Sequence, residues 1–122
     1  MLTINSLVAA REVLIPVQAE YYALEGLAQL LETVELVQEH LNPELAVLGV
    51  LVTLYDGRTR LGREVAGEVR ENLGASVFDT VIPRNVRLSE APSHGLPISR
   101  YDATCAGSDA YFDLAKEVVS RA

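Results

Sequence analysis

The stretch Ala46-Val-Leu-Gly-Val-Leu-Val-Thr-Leu54 is almost continuously apolar and rich in β-branched side chains. A run of this kind is typical of a strand that is covered on both faces of a sheet. Asp56-Gly57 follows it and predicts a turn. Because strands covered on both faces occur mainly in parallel sheets flanked by helices, the stretch predicts an α/β fold.

The segments on either side of this strand alternate between helix and strand patterns. Helices are predicted over 2–10, 24–41, 61–73 and 108–119, and strands over 12–17, 46–54 and 77–82. Gly74 is a natural C-cap for the third helix, and Ser108 is the predicted N-cap of the last. Residues 83–104 read mostly as loop. The order predicts parallel strands joined by right-handed crossovers, within one domain over residues 1–122.

Composition narrows the class of protein. The 122 residues carry a net charge of −7 and a single cysteine, Cys105. No apolar run reaches the roughly 20 residues that span a bilayer, and no signal-peptide pattern is present. The single cysteine excludes an internal disulfide and fits a reducing, cytoplasmic setting. We therefore expect a cytoplasmic protein that does not insert into membranes.

The charges are unevenly distributed. Between residues 1 and 55 Arg11 is the single base among seven acids, whereas residues 58–100 contain seven arginines and five acids. The negative total argues against general attraction to nucleic acid, but the arginine-rich half permits a local anion-binding face.

The arginines cluster after two of the predicted strands. Arg58, Arg60 and Arg63 follow the second strand, and Arg84 and Arg87 follow the third. Because parallel strands end at one sheet edge, these side chains could converge on a phosphate backbone or a nucleotide.

Both groups of loop residues also have a simpler interpretation. The arginines could pair with Asp56, Glu64 or Glu90 in a solvated loop, and spacing alone favours this alternative. Asn85, preceded by Pro83-Arg84, could face the edge of a nucleotide base or be an ordinary turn asparagine.

Other chemistries find little support. His40 and His94 have no partners at metal-ligand spacing, so no metal site is expected. Cys105 has no neighbouring base in the sequence, and no nucleophile-elbow motif is present, which argues against hydrolase chemistry.

Longer motifs carry a resemblance to a known family. Its segments are Leu2-Thr-Ile-Asn-Ser-Leu7, Leu14-Ile-Pro-Val-Gln-Ala-Glu-Tyr-Tyr-Ala-Leu-Glu-Gly26, Gly49-Val-Leu-Val-Thr-Leu-Tyr-Asp-Gly-Arg-Thr59 and Val81-Ile-Pro-Arg-Asn-Val-Arg-Leu-Ser-Glu-Ala-Pro-Ser-His-Gly95. Together they resemble the C-terminal half of ParA/Soj-type chromosome or plasmid partitioning ATPases, over nearly the whole chain.

The resemblance implies a fold and a set of sites. The fold would be a partial doubly wound parallel sheet of the deviant P-loop type, without its N-terminal phosphate-binding half. The family binds ATP with Mg²⁺, forms a sandwich dimer that coats DNA non-specifically, and is stimulated by a ParB-type partner. On this chain, Pro83, Arg84 and Asn85 correspond to the base-contacting loop, and Arg58 and Arg87 to the DNA-binding arginines.

One departure from the family pattern is large. No glycine-rich loop with its lysine occurs in these residues, and the only lysine is Lys116. Triphosphate binding needs such a loop. We therefore expect no tight ATP or Mg²⁺ binding and no ATPase activity by this chain alone. Expected partners are non-specific DNA near the nucleoid, a ParB-type protein, and a second copy or an intact ParA. One sheet edge should be exposed.

Three alternatives stay open at this point. The chain could be a non-catalytic fragment that binds DNA or dimerises with ParA, or an inert gene remnant. It could also resemble the related septum-site ATPases, although residues 109–122 lack the basic and aromatic face of a membrane-surface helix.

Overall fold

The computed structural model describes residues 2–20 and 22–121. The helices are α1 (Leu2–Ala9), α2 (Ala23–His40), α3 (Arg60–Leu73), α4 (Val86–Glu90), α5 (Ile98–Tyr101) and α6 (Ala106–Arg121), and the strands are β1 (Glu12–Gln18), β2 (Ala46–Tyr55) and β3 (Val77–Pro83). Short 3₁₀ turns cover Gly74–Ser76 and Ala91–His94. The predicted helices and strands all form. Tyr21, in the predicted loop after the first strand, lies outside the described residues.

The strands form one three-stranded parallel sheet in the order β1-β2-β3. This confirms the α/β class and the parallel strands. The first strand was predicted to be buried, and this is correct on one face only. Ile15 and Val17 are buried, but Pro16 is exposed, and within the described residues β1 pairs with β2 alone. Proline is tolerated in such a strand because edge strands leave one backbone side unpaired.

The central strand β2 has helices over both of its faces, as its apolar run predicts. Val50 and Val52 lie in the core that α2 and α3 cover. Leu51 lies in the core under α6, together with Phe78 and Ala110. Burying a side chain the size of Val, Leu or Phe contributes about 1.5–3 kcal/mol to the free energy of folding. The two core layers therefore stabilise the sheet from both of its faces.

The segment after β3 is more regular than predicted. The sequence suggested mostly loop over residues 83–104, whereas the structure places α4, a 3₁₀ turn and α5 there. The Asn85 side chain caps α4, since its Oδ1 accepts a hydrogen bond from the Arg87 N–H at 2.9 Å. Caps of this kind start helices too short to show an apolar period, which is why periodicity missed them.

The predicted N-cap of the last helix is wrong. Helix α6 begins at Ala106, and Ser108 lies inside its first turn, fully buried. Its hydroxyl has no hydrogen-bond partner among the described residues. The capping contact comes from Cys105, whose Sγ accepts a hydrogen bond from the Ser108 N–H at 3.4 Å. The sequence rule favours serine, but the chain enters the helix two residues earlier.

Asn42 fixes the first helix to the rest of the domain. Its Nδ2 donates to the carbonyl oxygens of Leu7 at 3.1 Å, Val8 at 3.1 Å and Ala10 at 2.8 Å. These carbonyls lie at the end of α1, where intrahelical partners run out. The described part of the chain contains no helix with the length and hydropathy to cross a bilayer.

Candidate functional site

The carboxyl ends of the three strands meet in one edge cleft. Backbone bonds join the loops that follow them: the Ala19 N–H donates to the Thr53 carbonyl at 2.9 Å, and the Arg84 N–H donates to the Tyr55 carbonyl at 2.9 Å. The cleft has a volume of about 290 Å³ and is lined by Ala19, Glu20, Leu54, Asp56, Thr59, Leu61 and Arg84. This position matches the expected ligand edge of an open parallel sheet.

The loop after β2 presents Arg58 to solvent. The Arg58 side chain is 91% exposed, and its Nε donates to Asp56 Oδ1 at 3.0 Å. Hydrogen bonding to Arg58 lowers the pKa of Asp56, and the same contact raises the pKa of Arg58. Nη2 also donates to Asp56 Oδ2 at 3.2 Å, so the pair is bidentate; it orients the guanidinium, which stays accessible to an anion from solvent.

Thr59 fixes the same loop to helix α3. Its hydroxyl donates to the Asp56 carbonyl at 2.8 Å and accepts from the Gly62 N–H at 3.1 Å, which makes it the N-cap of α3. A Cβ at Gly62 would lie 2.7 Å from the Asp56 carbonyl oxygen, so the tight approach requires glycine. The position of Arg58 therefore depends on a rigid loop.

The loop after β3 crosses the cleft through an ion pair. Arg84 Nη2 lies 2.9 Å from Glu20 Oε1, which joins the ends of β3 and β1. Both side chains are about half exposed, at 55% and 49%. Leu54, which lines the cleft, has a φ of +50°, a conformation rarely adopted by a leucine. Strained backbone of this kind persists where surrounding contacts enforce it, often beside a site.

Arg87 lies in α4, directly after this loop, and has two acidic neighbours. Its guanidinium nitrogens lie 3.5 Å from Asp102 Oδ2 and 3.7 Å from Glu90 Oε1. The pKa of Arg87 is raised, first by the Tyr101 hydroxyl and then by these two carboxylates. The side chain is 53% exposed, so it remains partly accessible to solvent.

The structure divides the five predicted arginines. Arg58 and Arg84 both lower the pKa of Asp56 through their charge, which places them around the same carboxylate. Arg60 pairs instead with Glu64 along α3 at 2.9 Å, and Arg63 donates to the Gly57 carbonyl at 2.7 Å. The simpler interpretation, in which the arginines pair with nearby acids, therefore also agrees with the observed geometry.

Two residues of the cleft were absent from the sequence prediction. Glu20 is the partner of Arg84, and Leu54 carries the positive φ. The polar loop after the first strand pointed to the region of Glu20, but contact between residues 64 apart has no sequence signal. No pattern in the sequence marks Leu54.

The fold identifies the class of protein. The chain superposes on a cobyrinic acid a,c-diamide synthase from Mycobacterium smegmatis with a TM-score of 0.71 and 35% identity, over 94% of this chain and 40% of that one. Two further structures of that synthase, with magnesium and bound ADP or an ATP analog, match over 70% of this chain at 42% identity with a TM-score of 0.61. The cell division ATPase MinD from Pyrococcus furiosus gives a TM-score of 0.71 at 24% identity, over 94% of this chain and 45% of its own, which shows a shared fold. The chain thus has the fold of P-loop ATPases.

Sequence comparison shows which proteins the chain resembles. The chain is 60% identical to the sporulation initiation inhibitor protein Soj of Bacillus subtilis over 98% of its length, and 54% identical to the chromosome partitioning protein ParA of Caulobacter vibrioides over 99%. A model of the AAA domain family matches residues 1–47. Over nearly its whole length the chain is similar to Soj/ParA chromosome-partitioning proteins, which confirms the expected resemblance. It spans about half the length of these relatives, 47% and 45%.

Proposed function

We propose that this chain provides the DNA-binding and base-contacting edge of a ParA/Soj-type partitioning ATPase. One observation supports this most directly: Arg58, 91% exposed, lies at the same sheet edge as the Pro83-Arg84-Asn85 loop. The chain is also similar to partitioning proteins along its whole length. In this proposal the protein acts in the cytoplasm at the nucleoid, in chromosome or plasmid segregation.

The DNA contacts are assigned to Arg58 and Arg87. Both arginine side chains are exposed, and each is oriented by a neighbouring carboxylate. A phosphate can compete with these carboxylates, because arginine binds phosphate through two parallel hydrogen bonds strengthened by its charge. Both arginines are assigned to phosphate groups and neither to the edge of a base, so the proposed binding does not depend on DNA sequence.

The base of ATP is assigned to Pro83, Arg84 and Asn85. Pro83 places its apolar ring at the end of β3, and two residues later the Oδ1 of Asn85 is engaged by the Arg87 N–H. Arg84 is fixed across the cleft by Glu20. In the whole protein, ATP with Mg²⁺ would drive dimerisation, and a ParB-type partner would stimulate hydrolysis. These residues supply no phosphate-binding loop, so we propose that the chain alone does not cleave ATP.

The DNA assignment can be tested by retention on non-specific duplex DNA across a salt series. Each lost phosphate contact should lower the slope of log affinity against log salt by about 0.9. Arg58→Glu and Arg87→Glu, tested singly, should each lose retention, while Arg11→Glu, the same charge reversal at an exposed residue on the opposite edge before β1, should retain it far better. Equal losses in all three variants would show only an effect of net charge and contradict the assignment.

The nucleotide assignment needs a protein that also contains the phosphate-binding half. In a fusion of this chain to that half of a Soj relative, Asn85→Ser, which keeps a capping oxygen for α4 but removes the carboxamide, should weaken ATP binding and leave DNA retention by the bound state intact. Arg58→Glu should do the reverse. Sustained Mg²⁺-dependent hydrolysis by the 122-residue chain itself would contradict the proposed division of labour.

A second function is supported by the free edge of β1. A groove of about 530 Å³ runs beside this edge, with Ile15, Pro16 and Val17 among its lining residues. Unpaired edges accept strands from other chains. The chain could in this way join a longer ParA and inhibit it. Adding excess chain to an active Soj should then lower its DNA-stimulated hydrolysis, and unchanged rates would exclude this function.

A further inference from the structure

Two carboxylates from different elements converge on Arg87. Glu90 lies one turn further along α4, and its Oε1 is 3.7 Å from Arg87 Nη1. Asp102 follows α5 directly, and its Oδ2 is 3.5 Å from Arg87 Nε. The carboxylates outnumber the guanidinium, so the formal charge of this part of the surface is negative although an arginine lies at its centre.

Both carboxylates are held in place by groups other than Arg87. The Thr104 N–H and hydroxyl donate to Asp102 Oδ1 at 3.3 Å and 3.2 Å, and the second oxygen, Oδ2, is the one beside the guanidinium. The Tyr101 hydroxyl donates to Glu90 Oε2 at 3.3 Å. The two negative charges therefore remain beside Arg87 when its guanidinium turns towards another anion.

The ring of Tyr101 is itself fixed by a stacking contact. It lies against the His94 ring, with the centroids 4.9 Å apart and an angle of 24° between the planes. This contact joins α5 to the 3₁₀ turn that follows α4. The segment after β3 thus folds back on itself and places Asp102 next to Arg87.

The carboxylate beside Arg58 has a different role. Asp56 Oδ1 also accepts a hydrogen bond from the Arg58 backbone N–H at 3.0 Å, so this carboxylate shapes the loop that carries Arg58. Asp102 and Arg87 belong to separate elements, and the 3.5 Å between them is longer than an ordinary N–H···O hydrogen bond. Asp102 therefore acts on Arg87 mainly through its charge.

A DNA phosphate and a carboxylate are alternative partners for the same guanidinium. Arginine binds both through parallel N–H···O bonds, so a phosphate at Arg87 comes close to the oxygens of Asp102 and Glu90. Like charges at such short range repel, and at an exposed site salt screens this repulsion. The two carboxylates thus lower the affinity of Arg87 for an external anion, most strongly at low salt.

We propose, as an extension of the DNA contact proposed for Arg87 and resting on it, that Asp102 and Glu90 compete with DNA phosphate for this guanidinium. The competition is built into the fold, because each carboxylate is fixed by its own hydrogen bonds. It keeps the contact between Arg87 and DNA weak and readily reversible. Removing either negative charge strengthens DNA binding through Arg87.

Neutralising substitutions test this competition by retention of the 122-residue chain on non-specific duplex DNA at low salt. Asp102→Asn keeps an oxygen for Thr104, and Glu90→Gln keeps one for Tyr101, while each removes one charge. Each variant should bind about two- to fivefold more tightly than the original chain, as expected for an exposed ion pair, and the gain should shrink as salt is added.

Asp79→Asn is the matched control for net charge. Asp79 is an exposed carboxylate near the start of β3, at the other end of the strand from the loop that precedes Arg87. Its neutralisation should change the affinity by less than about 1.5-fold, because a charge more than a Debye length away is largely screened. A tighter variant is also a folded one, since unfolding a chain with a net charge of −7 would not create affinity for DNA.

A double-mutant cycle separates competition at Arg87 from a general effect of charge. In an Arg87→Gln background, the gains from Asp102→Asn and Glu90→Gln should fall to that of the Asp79→Asn control, because no guanidinium remains to be released. Gains that persist in this background, or that never exceed the control, would overturn the competition and leave the DNA contact of Arg87 intact. Unchanged retention by Arg87→Gln itself would instead contradict the DNA contact, and the competition with it.

Discussion

The contact between Glu117 and β3 allows a quantitative prediction about the stability of the sheet. The Glu117 carboxylate accepts hydrogen bonds from the Asp79 N–H at 2.9 Å, from the Thr80 N–H at 2.6 Å and from the Thr80 hydroxyl. These backbone groups belong to an edge strand that pairs only with β2 among the described residues. The carboxylate therefore occupies donors that could otherwise bind a foreign strand.

The contribution of Glu117 to the free energy of unfolding can be estimated from these contacts. A hydrogen bond to a charged group contributes about 1.5–3 kcal/mol, but the three share one carboxylate and its side chain is 21% exposed. We therefore expect Glu117→Ala to lower the free energy of unfolding by about 2–3 kcal/mol in total. Glu117→Gln, which keeps one acceptor oxygen, should lose about half as much. Both variants should aggregate more readily through β3.

The same contact predicts a dependence on pH. Desolvation alone would raise the pKa of Glu117, but the hydrogen bonds from Thr80 and Asp79 and the charge of Arg121 outweigh it and lower the pKa. A lowered pKa in the folded state stabilises the protein above the ordinary glutamate value of about 4.3, and this stabilisation is lost as the pH falls through the folded pKa. As the pH falls from the ordinary glutamate value through the folded pKa, the difference in free energy of unfolding between the original chain and Glu117→Gln should shrink.

Urea denaturation measured at several pH values from 7 to 3 would check both effects, with Asp113→Ala as the control. Asp113 is an exposed carboxylate of the same helix, and its replacement should change the free energy of unfolding by less than about 0.5 kcal/mol. A Glu117→Ala loss no larger than the control would refute the reasoning. A difference between the original chain and Glu117→Gln that grows on acidification would show that the sign of the pKa argument is wrong.

Three further substitutions test local features. Ser108→Ala should leave the free energy of unfolding unchanged or raise it by up to about 1 kcal/mol, because it removes a buried hydroxyl without a partner among the described residues; a clear loss in thermal melts would point to a missing hydrogen bond. Gly107→Ala should destabilise by about 1–3 kcal/mol, since the new Cβ would lie 2.7 Å from Leu88 Cγ, and adding Leu88→Ala should make the Gly107→Ala cost smaller in a double-mutant cycle. Asn42→Ala should cost about 1–2 kcal/mol and speed hydrogen exchange in α1, whereas uniform exchange throughout the chain would contradict a local role.

Periodicity predicted the larger elements well because they bury apolar side chains at regular intervals. The run from Ala46 to Leu54 is covered on both faces, and the four-residue repeat of Leu61, Val65, Val69 and Leu73 became α3. Apolar periodicity did not detect the short elements. Helix α4 depends on the Asn85 cap and on contact between Leu88 and Gly107, which a repeat of apolar residues does not reveal.

The candidate site was only partly accessible from the sequence. Parallel strands imply that Arg58, Arg84 and Arg87 lie at one edge, and motif resemblance assigned roles to them. Which arginine pairs with which acid was decided by distance: Arg84 with Glu20 across the sheet, and Arg87 with Glu90 and Asp102 beyond it.

The amino-acid sequence by itself determined the α/β class, the order of the principal helices and strands, and the resemblance to partitioning ATPases, because apolar periodicity and long motifs are local properties of the chain. Tertiary structure alone decided that Glu117 bonds the backbone of β3, that Leu54 adopts a positive φ, and that Tyr111, Phe112 and Val119 of α6 remain exposed. The physical reason is that burial and hydrogen bonding between residues far apart in the chain are set by the packing of whole elements, not by their neighbours in sequence.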